Sequence, residues 1–220
     1  MMPLTEWIGR ALRKFGTEIL SSRGIRGIWI DVGAHHGEVT LGYANHNPGL
    51  RIYAFEPNLR AAAKLFGLAP NYVVIPMAVA ESDGCADFHL NSFEASSSLL
   101  SLDHQAVKSW VRGELLKEVG TVTVPTVRLD TFMEAMCINT VDFLKVDAQG
   151  MDLAVIRSAG DRIRDITKIT LEVSIAPAPV YINSPTKEEV ISFLKSAGFS
   201  LVSAEKQSFD QEEDLTFVRS

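Results

Sequence analysis

The sequence predicts an α/β fold: an open, Rossmann-like, mostly parallel sheet of seven strands, with a β-hairpin and lid inserted after the third strand. Three observations carry that expectation. Apolar runs of strand length alternate with helical segments through most of the chain, the pattern of consecutive βα units. The run Ile28–Val32 stops at a glycine turn, Gly33 to Gly37, and the following run, Arg51–Phe55, stops at an acid, Glu56. Two final runs, Phe199–Ala204 and Leu215–Arg219, flank an acidic turn and read as an antiparallel closing pair.

In chain order, residues 1–24 come first. Leu4, Trp7, Ile8, Ala11, Leu12, Phe15 and Ile19 recur at helical spacing with basic residues opposite, an amphipathic helix that should pack its stripe on the domain. After Gly37 a short helix should reach Ala44 and stop before Asn47-Pro48-Gly49, and Asn58 should cap a helix running through Phe66. Tyr72–Val79 reads as strand three. Residues 84–128 read as the inserted hairpin, Cys85–Asn91 against Thr121–Val127, whose long polar connection (92–118, weakly helical over His104–Val119) suits a substrate lid. Val141–Val146 is strand four, Met151–Ser158 a helix and Ile169–Val173 strand five. A helix opening at Ser184-Pro185 should end at Gly198.

Composition narrows the class. A chain of 220 residues suits one well-buried domain. A net charge of −6 argues against nucleic acid as a partner, because phosphate binding needs a basic surface. Cys85 and Cys137 lie far apart without metal-ligand spacing, which points to a reduced, cytoplasmic protein. No apolar run is long enough to span a bilayer, and the N-terminal stretch lacks the apolar core of an export signal. A homo-oligomer is compatible with all of this.

A strand that stops at a glycine turn turns backbone N–H groups toward a ligand, and an acid at the tip of the next parallel strand suits both hydroxyls of a ribose. Dinucleotide sites use Gly-x-Gly-x-x-Gly to approach a pyrophosphate. Here Ala34 follows Gly33, and Asp31 stands where a diphosphate would be repelled. S-adenosyl-L-methionine has a ribose, a sulfonium and an amino group but no phosphate, and it fits this pattern. The expected cofactor-binding residues are Asp31, Gly33, Ala34, His36, Gly37, Glu56, Pro57 and Asn58, joined by Asp147 at the end of strand four.

Over nearly its whole length the chain resembles the FkbM family of class I methyltransferases. The resemblance rests on Asp31-Val32-Gly33-Ala34-His35-His36-Gly37, Phe55-Glu56-Pro57, Val124-Pro125-Thr126-Val127-Arg128-Leu129-Asp130 and Val141-Asp142-Phe143-Leu144-Lys145-Val146-Asp147. Ala78, Ser82-Asp83-Gly84 and Ser97-Ser98-Leu99 also fit, which adds Ala78 to the cofactor set. The resemblance implies S-adenosylmethionine-dependent O-methylation of a sugar or secondary-metabolite hydroxyl. One departure stands out: where members carry a Glu soon after the strand-four Asp, this chain has Gln149, and Asp152 follows.

For catalysis, His35 and His36 could take a hydroxyl proton near neutral pH, and Asp147 and Glu172 sit at neighbouring strand ends. Each also has a plain structural role available, as a turn contact, a cap or a buried charge. Lys145, on a buried strand, should be paired with Asp31 or Glu172. No metal site is expected, since the paired histidines lack an evident third ligand, although Asp147 and Glu172 are hard oxygen ligands. A non-catalytic adenosine-ligand binder and an N- or carboxyl-methyltransferase are the alternatives, with a nicotinamide enzyme behind both.

Overall fold

A computed structural model describes residues 24–220. The N-terminal helix expected over residues 1–24 falls, apart from Gly24, outside the described residues. Seven strands form one sheet in the order β3-β2-β1-β7-β8-β10-β9. They are β1 (Gly27–Val32), β2 (Leu50–Phe55), β3 (Tyr72–Ile75), β7 (Phe143–Val146), β8 (Lys168–Ser174), β9 (Phe199–Gln207) and β10 (Glu212–Arg219). β1, β2, β3, β7 and β8 run parallel, and β10 is antiparallel to both β8 and β9. The order reverses between β1 and β7, so the crevice at their C-terminal ends is the switch point where open α/β sheets bind ligands.

Helices cover the sheet unevenly. Helices Leu129–Ala135, Asp152–Arg157 and Lys187–Ser196 lie on one face, over a core of Ile30, Val32, Leu144, Val146, Ile169, Leu171, Leu215 and Phe217. Helices Leu41–His46 and Leu59–Leu65 cover the β1–β2–β3 half of the other face, over Leu50, Ile52, Ala54 and Leu65. The half carrying Trp29, Phe143, Lys168, Thr170, Thr216 and Val218 opens into the main cavity instead.

Two helix starts follow from local chemistry. Asn58 accepts from the Arg60 N–H and caps its helix as expected. The last helix starts later than Ser184-Pro185. Thr186 and Glu189 form a reciprocal capping box, and the Ser184 hydroxyl is engaged instead with the Tyr181 carbonyl.

Strand three is the main correction to the sequence reading. The run Tyr72–Val79 splits: Tyr72–Ile75 stays in the large sheet, and Ala78–Val79 forms β4 of a second sheet. Pro76 lies in the break and has no N–H to donate to a ladder, so the pairing ends there. The second sheet has the order β4-β6-β5, with β5 (Gly84–Asn91) antiparallel to β6 (Glu118–Val127) and β4 parallel to β6. The inserted hairpin is therefore present, with a third short strand tying it back to the domain. Within its connection the helical content is small, one α-helical turn at Ala106–Ser109 and 3-10 turns at Glu94–Ser96 and Gly113–Leu115. Leu102 packs with Val180 and Tyr181, and the Trp110 indole N–H donates to the Ala178 carbonyl, so the connection lies against the loop after β8.

Candidate active site

A cavity of roughly 1360 Å³ opens at the C-terminal ends of β1, β2 and β7 and extends along the part of the sheet that no helix among the described residues covers. Its walls include Gly33, Ala34, His35 and His36 from the glycine turn, Glu56 and Pro57 from the end of β2, and Met77, Ala78 and Val79. Lys145, Asp147 and Gln149 line it from β7 and the following turn, Glu172 from β8, and Phe93, Glu94 and Leu99 from the inserted segment.

The glycine turn is built by close approach. Gly33 has φ +73°, and a Cβ there would sit 1.8 Å from the Asp147 carbonyl oxygen. The turn thus needs glycine because the chain leaving β1 passes directly against the backbone leaving its parallel neighbour β7, a reason distinct from room for a ligand. Glu56 is buried and lines the cavity. Its carboxylate accepts from the His35 N–H at 2.7 Å and from the Asn58 N–H at 2.8 Å, which fixes the turn and the following helix together. Burial pushes its carboxyl above the ordinary range, opposed by those two N–H groups and by the charges of His35 and Lys145.

Three of the expected cofactor residues lie off the cavity wall. Asp31 is 1% exposed: it accepts from the Thr40 hydroxyl at 2.5 Å and faces the Lys145 ammonium at 3.2 Å. As an inward residue of β1 it holds the floor of the site from behind, in an ion pair with Lys145. Gly37 turns its missing Cβ toward Leu41 and Leu65, in the helix packing, and Asn58 is spent as a cap. Gly33, Ala34, His36, Glu56, Pro57, Ala78 and Asp147 do reach the cavity.

Lys145 is paired as the sequence implied, with Asp31 as the nearest acid, Asp147 at 3.6 Å, and the Gly33 carbonyl accepting its proton at 2.7 Å. Burial would lower its pKa, but Asp31 and Asp147 outweigh it, and the group is held firmly protonated. It is a fixed cation between the two strands.

Gln149, the departure from the family pattern, sits at the centre of a network. In a left-handed conformation (φ 52°) it directs its amide between two acids, donating to Asp147 Oδ1 at 2.6 Å and Glu172 Oε2 at 3.2 Å. Its Oε1 lies 2.7 Å from the Tyr181 hydroxyl, which also lies 2.7 Å from the Ser96 carbonyl. The Ser98 hydroxyl donates to the Gln149 carbonyl at 2.7 Å. One side chain thus joins the end of β7, the end of β8 and the inserted segment. Desolvation raises the Glu172 carboxyl well above its usual range, and Glu212, Asp147 and Asp214 add to the effect. Asp147, with 37% of its side chain exposed, is the accessible carboxylate of the pair. Asp152 accepts from the Ala148 and Gly150 N–H groups under the same turn, and burial followed by the Asp147 charge lifts it to about 7.

His35 and His36 stack with ring centroids 3.8 Å apart. Glu38, which the sequence reading passed over, lies 2.8 Å from His35 Nδ1 and accepts from the His36 N–H at 3.0 Å. Burial alone would raise its carboxyl, but the bond from His35 brings it down to about 2. Tyr181 and Glu94 were also missed, since their only signal is tertiary: each lies tens of residues from the turn it contacts.

Comparison with known proteins agrees with this architecture. The model of the methyltransferase FkbM domain matches residues 31–201. The 2-O-methyltransferase NoeI of Sinorhizobium fredii (strain NBRC 101917 / NGR234) is 24% identical over 156 residues, which cover 66% of this chain and 62% of NoeI. The chain therefore spans about three fifths of that relative's length. Among solved structures, the fibrillarin of Aeropyrum pernix in complex with natively bound S-adenosyl-L-methionine superposes with a TM-score of 0.53 at 16% identity, covering 94% of this chain and 76% of that one. Magnesium protoporphyrin IX methyltransferase (ChlM) of Synechocystis PCC 6803 with bound SAH gives 0.52 at 10% identity, covering 100% and 89%. The fold is the Rossmann-like fold of class I methyltransferases.

Proposed function

The chain belongs to the FkbM methyltransferase family, and from that premise we infer that it methylates a hydroxyl of a small, oxygen-rich acceptor such as a sugar or a natural product. The cofactor is S-adenosyl-L-methionine. The observation that supports a cationic, ribose-bearing cofactor is Glu56: a buried carboxylate at the tip of β2, held by two backbone N–H groups, on the wall of the cavity. Its two oxygens retain lone pairs for ribose hydroxyls. Met77, Ala78 and Val79 give an apolar wall beside it for an adenine ring, and Glu38, Glu94 and Asp147 give the site an acidic character that suits a sulfonium.

When bound, the cofactor supplies a methyl carbon activated by its sulfonium. The chain then has to orient the acceptor oxygen, take one proton and keep water out. Asp147 is the base we assign, since it is open to the cavity and held by the Gln149 amide and the Lys145 ammonium. Glu172 lies beside it and accepts from the same Gln149 amide. His35 and His36 are set aside as bases: the Nδ1 of His35 is bonded to Glu38, and the Nε2 of His36 accepts from Lys64 at 2.8 Å. In that transfer the acceptor hydroxyl would give its proton to the Asp147 carboxylate. The inserted segment, through Phe93 and Leu99, roofs the cavity and serves as the acceptor lid.

Two features favour an oxygen acceptor. NoeI is a 2-O-methyltransferase, and a positioned carboxylate base is of use only where a proton must leave. Incubation with S-adenosylmethionine and a panel of sugars and hydroxylated natural products, read by S-adenosylhomocysteine release, tests the reading. Release dependent on a hydroxylated acceptor supports it. Tight cofactor binding with no turnover on any acceptor, hydroxyl or amine, identifies a ligand-binding protein instead.

A further inference from the structure

We propose that His35, His36 and Glu38 form a binding site for one divalent transition-metal ion at the mouth of the cavity, with Glu94 as its supporting carboxylate. The argument begins with the turn. His35 is held at φ 46° with its N–H fixed on Glu56, and His36 follows directly, so the two rings leave the same tight turn side by side. They stack at 3.8 Å with an interplanar angle of 23°. Two imidazoles brought face to face bring their nitrogens together in matching pairs.

Each pair of nitrogens meets a carboxylate. On the Nδ1 side, Glu38 Oε1 lies 2.8 Å from His35 and 3.8 Å from His36. One nitrogen from each ring and one carboxylate oxygen lie within 4.8 Å of one another, a triangle that a small ion can occupy after a modest opening of the rings. On the Nε2 side, Glu94 Oε2 lies 3.6 Å from His35 and 3.3 Å from His36. Histidines that bind a metal through one nitrogen almost always donate the other N–H to a carboxylate or carbonyl. Glu94 stands where a carboxylate can do this for His35, while the Nε2 of His36 accepts from Lys64.

A second, independent observation points the same way. The Nε2 atom of His35 is buried without a hydrogen-bond partner. Buried polar nitrogens are seldom left unsatisfied. With Nδ1 on a metal, the ring proton moves to Nε2 and faces Glu94. Two imidazoles and one carboxylate suit zinc, cobalt or nickel better than magnesium or calcium, which prefer all-oxygen shells. Three protein ligands leave at least one position free, and His35, His36 and Glu38 all line the cavity, so that position faces the ligand space. Lys64 opposes the site: its ammonium donates to the Nε2 of His36 at 2.8 Å and lies 3.5 Å from Glu94 Oε2, so ligation through the Nδ1 of His36 requires this exposed side chain to move off the ring.

The inference concerns ion binding alone, and its test uses no cofactor and no turnover. The untagged full-length protein is stripped with a chelator and titrated with Co²⁺, whose visible d–d absorption reports a low-coordinate nitrogen and oxygen site, and Zn²⁺ is then added to displace it. The expected result is one ion per chain, displaced by one Zn²⁺. Glu38→Gln and His36→Asn should each weaken binding more than tenfold, and Glu94→Gln by about tenfold, the usual cost of losing a supporting carboxylate. Glu38 is exposed, so Glu38→Gln should fold even if His36→Asn does not, and melting curves check both. Absence of Co²⁺ binding, or binding unchanged in folded Glu38→Gln protein, overturns the proposal.

Discussion

Gln149→Glu restores the residue type expected of the family and should destabilise this chain. The amide nitrogen donates two protons, one to Asp147 at 2.6 Å and one to Glu172 at 3.2 Å. A protonated Glu at the position returns one donor and loses the other, at a cost of about 1 kcal/mol for a neutral hydrogen bond. An ionised Glu returns neither and places a charge against Asp147 and beside the inward-facing Glu172, which raises the cost to about 3 kcal/mol. The sign follows from linkage. The new carboxyl has a folded-state pKa above its unfolded value, so its contribution is intact below the unfolded pKa and is lost as pH rises through the folded one. Urea unfolding of the parent and variant at ~pH 5 and ~pH 8 measures both limits, and the difference between the two proteins should widen toward the higher pH. Equal stability of the two at ~pH 8 would refute the bridging role assigned to the amide.

Gly33→Ala should lower stability by more than about 2 kcal/mol, because a Cβ meets the Asp147 carbonyl and the backbone has positive φ; an unchanged urea midpoint would contradict that close approach. Asp152 titrates near 7 in the folded protein, so it should cost stability as pH rises from about 4 to 8, by a few kcal/mol at most. Asp152→Asn should flatten that slope relative to the parent, and parallel pH profiles of unfolding free energy would count against it. Tyr181→Phe removes the hydroxyl shared by Gln149 and Ser96 and should speed amide exchange in residues 92–118 while leaving the β1–β2 end unchanged. Exchange rates in the segment that match the parent would show that other contacts hold it down.

Much of the fold could be read from residue pattern alone, because its signals are local. Glycine and acid at the ends of β1 and β2, the turn at Ser82-Asp83-Gly84 and the closing strand pair each announce themselves within ten residues. Strand three was misread because its apolar content continues through Pro76, and only the missing N–H separates one sheet from the next. The last helix was placed two residues early for a related reason: Ser184-Pro185 is a good start signal, but Thr186 with Glu189 closes a complete capping box. At the site, the residues on the glycine turn and the tip of β2 were legible, while their orientation was not. Strand alternation turns Asp31 inward toward Lys145, and no spacing rule tells a buried acid from a ligand-facing one. Glu94 and Tyr181 reach the site through long-range packing of the inserted segment, which leaves no trace in local sequence.

The central claim is that the cavity beside Glu56 holds S-adenosyl-L-methionine. Calorimetric titration of S-adenosylmethionine and of NAD into the parent and into Glu56→Gln tests it most directly. The account predicts one S-adenosylmethionine bound per chain, no NAD bound, and an affinity loss of about 1.5–3 kcal/mol in the folded variant, the range for hydrogen bonds to a charged group. Binding of NAD in preference, or S-adenosylmethionine affinity untouched by the loss of the Glu56 charge, would contradict it.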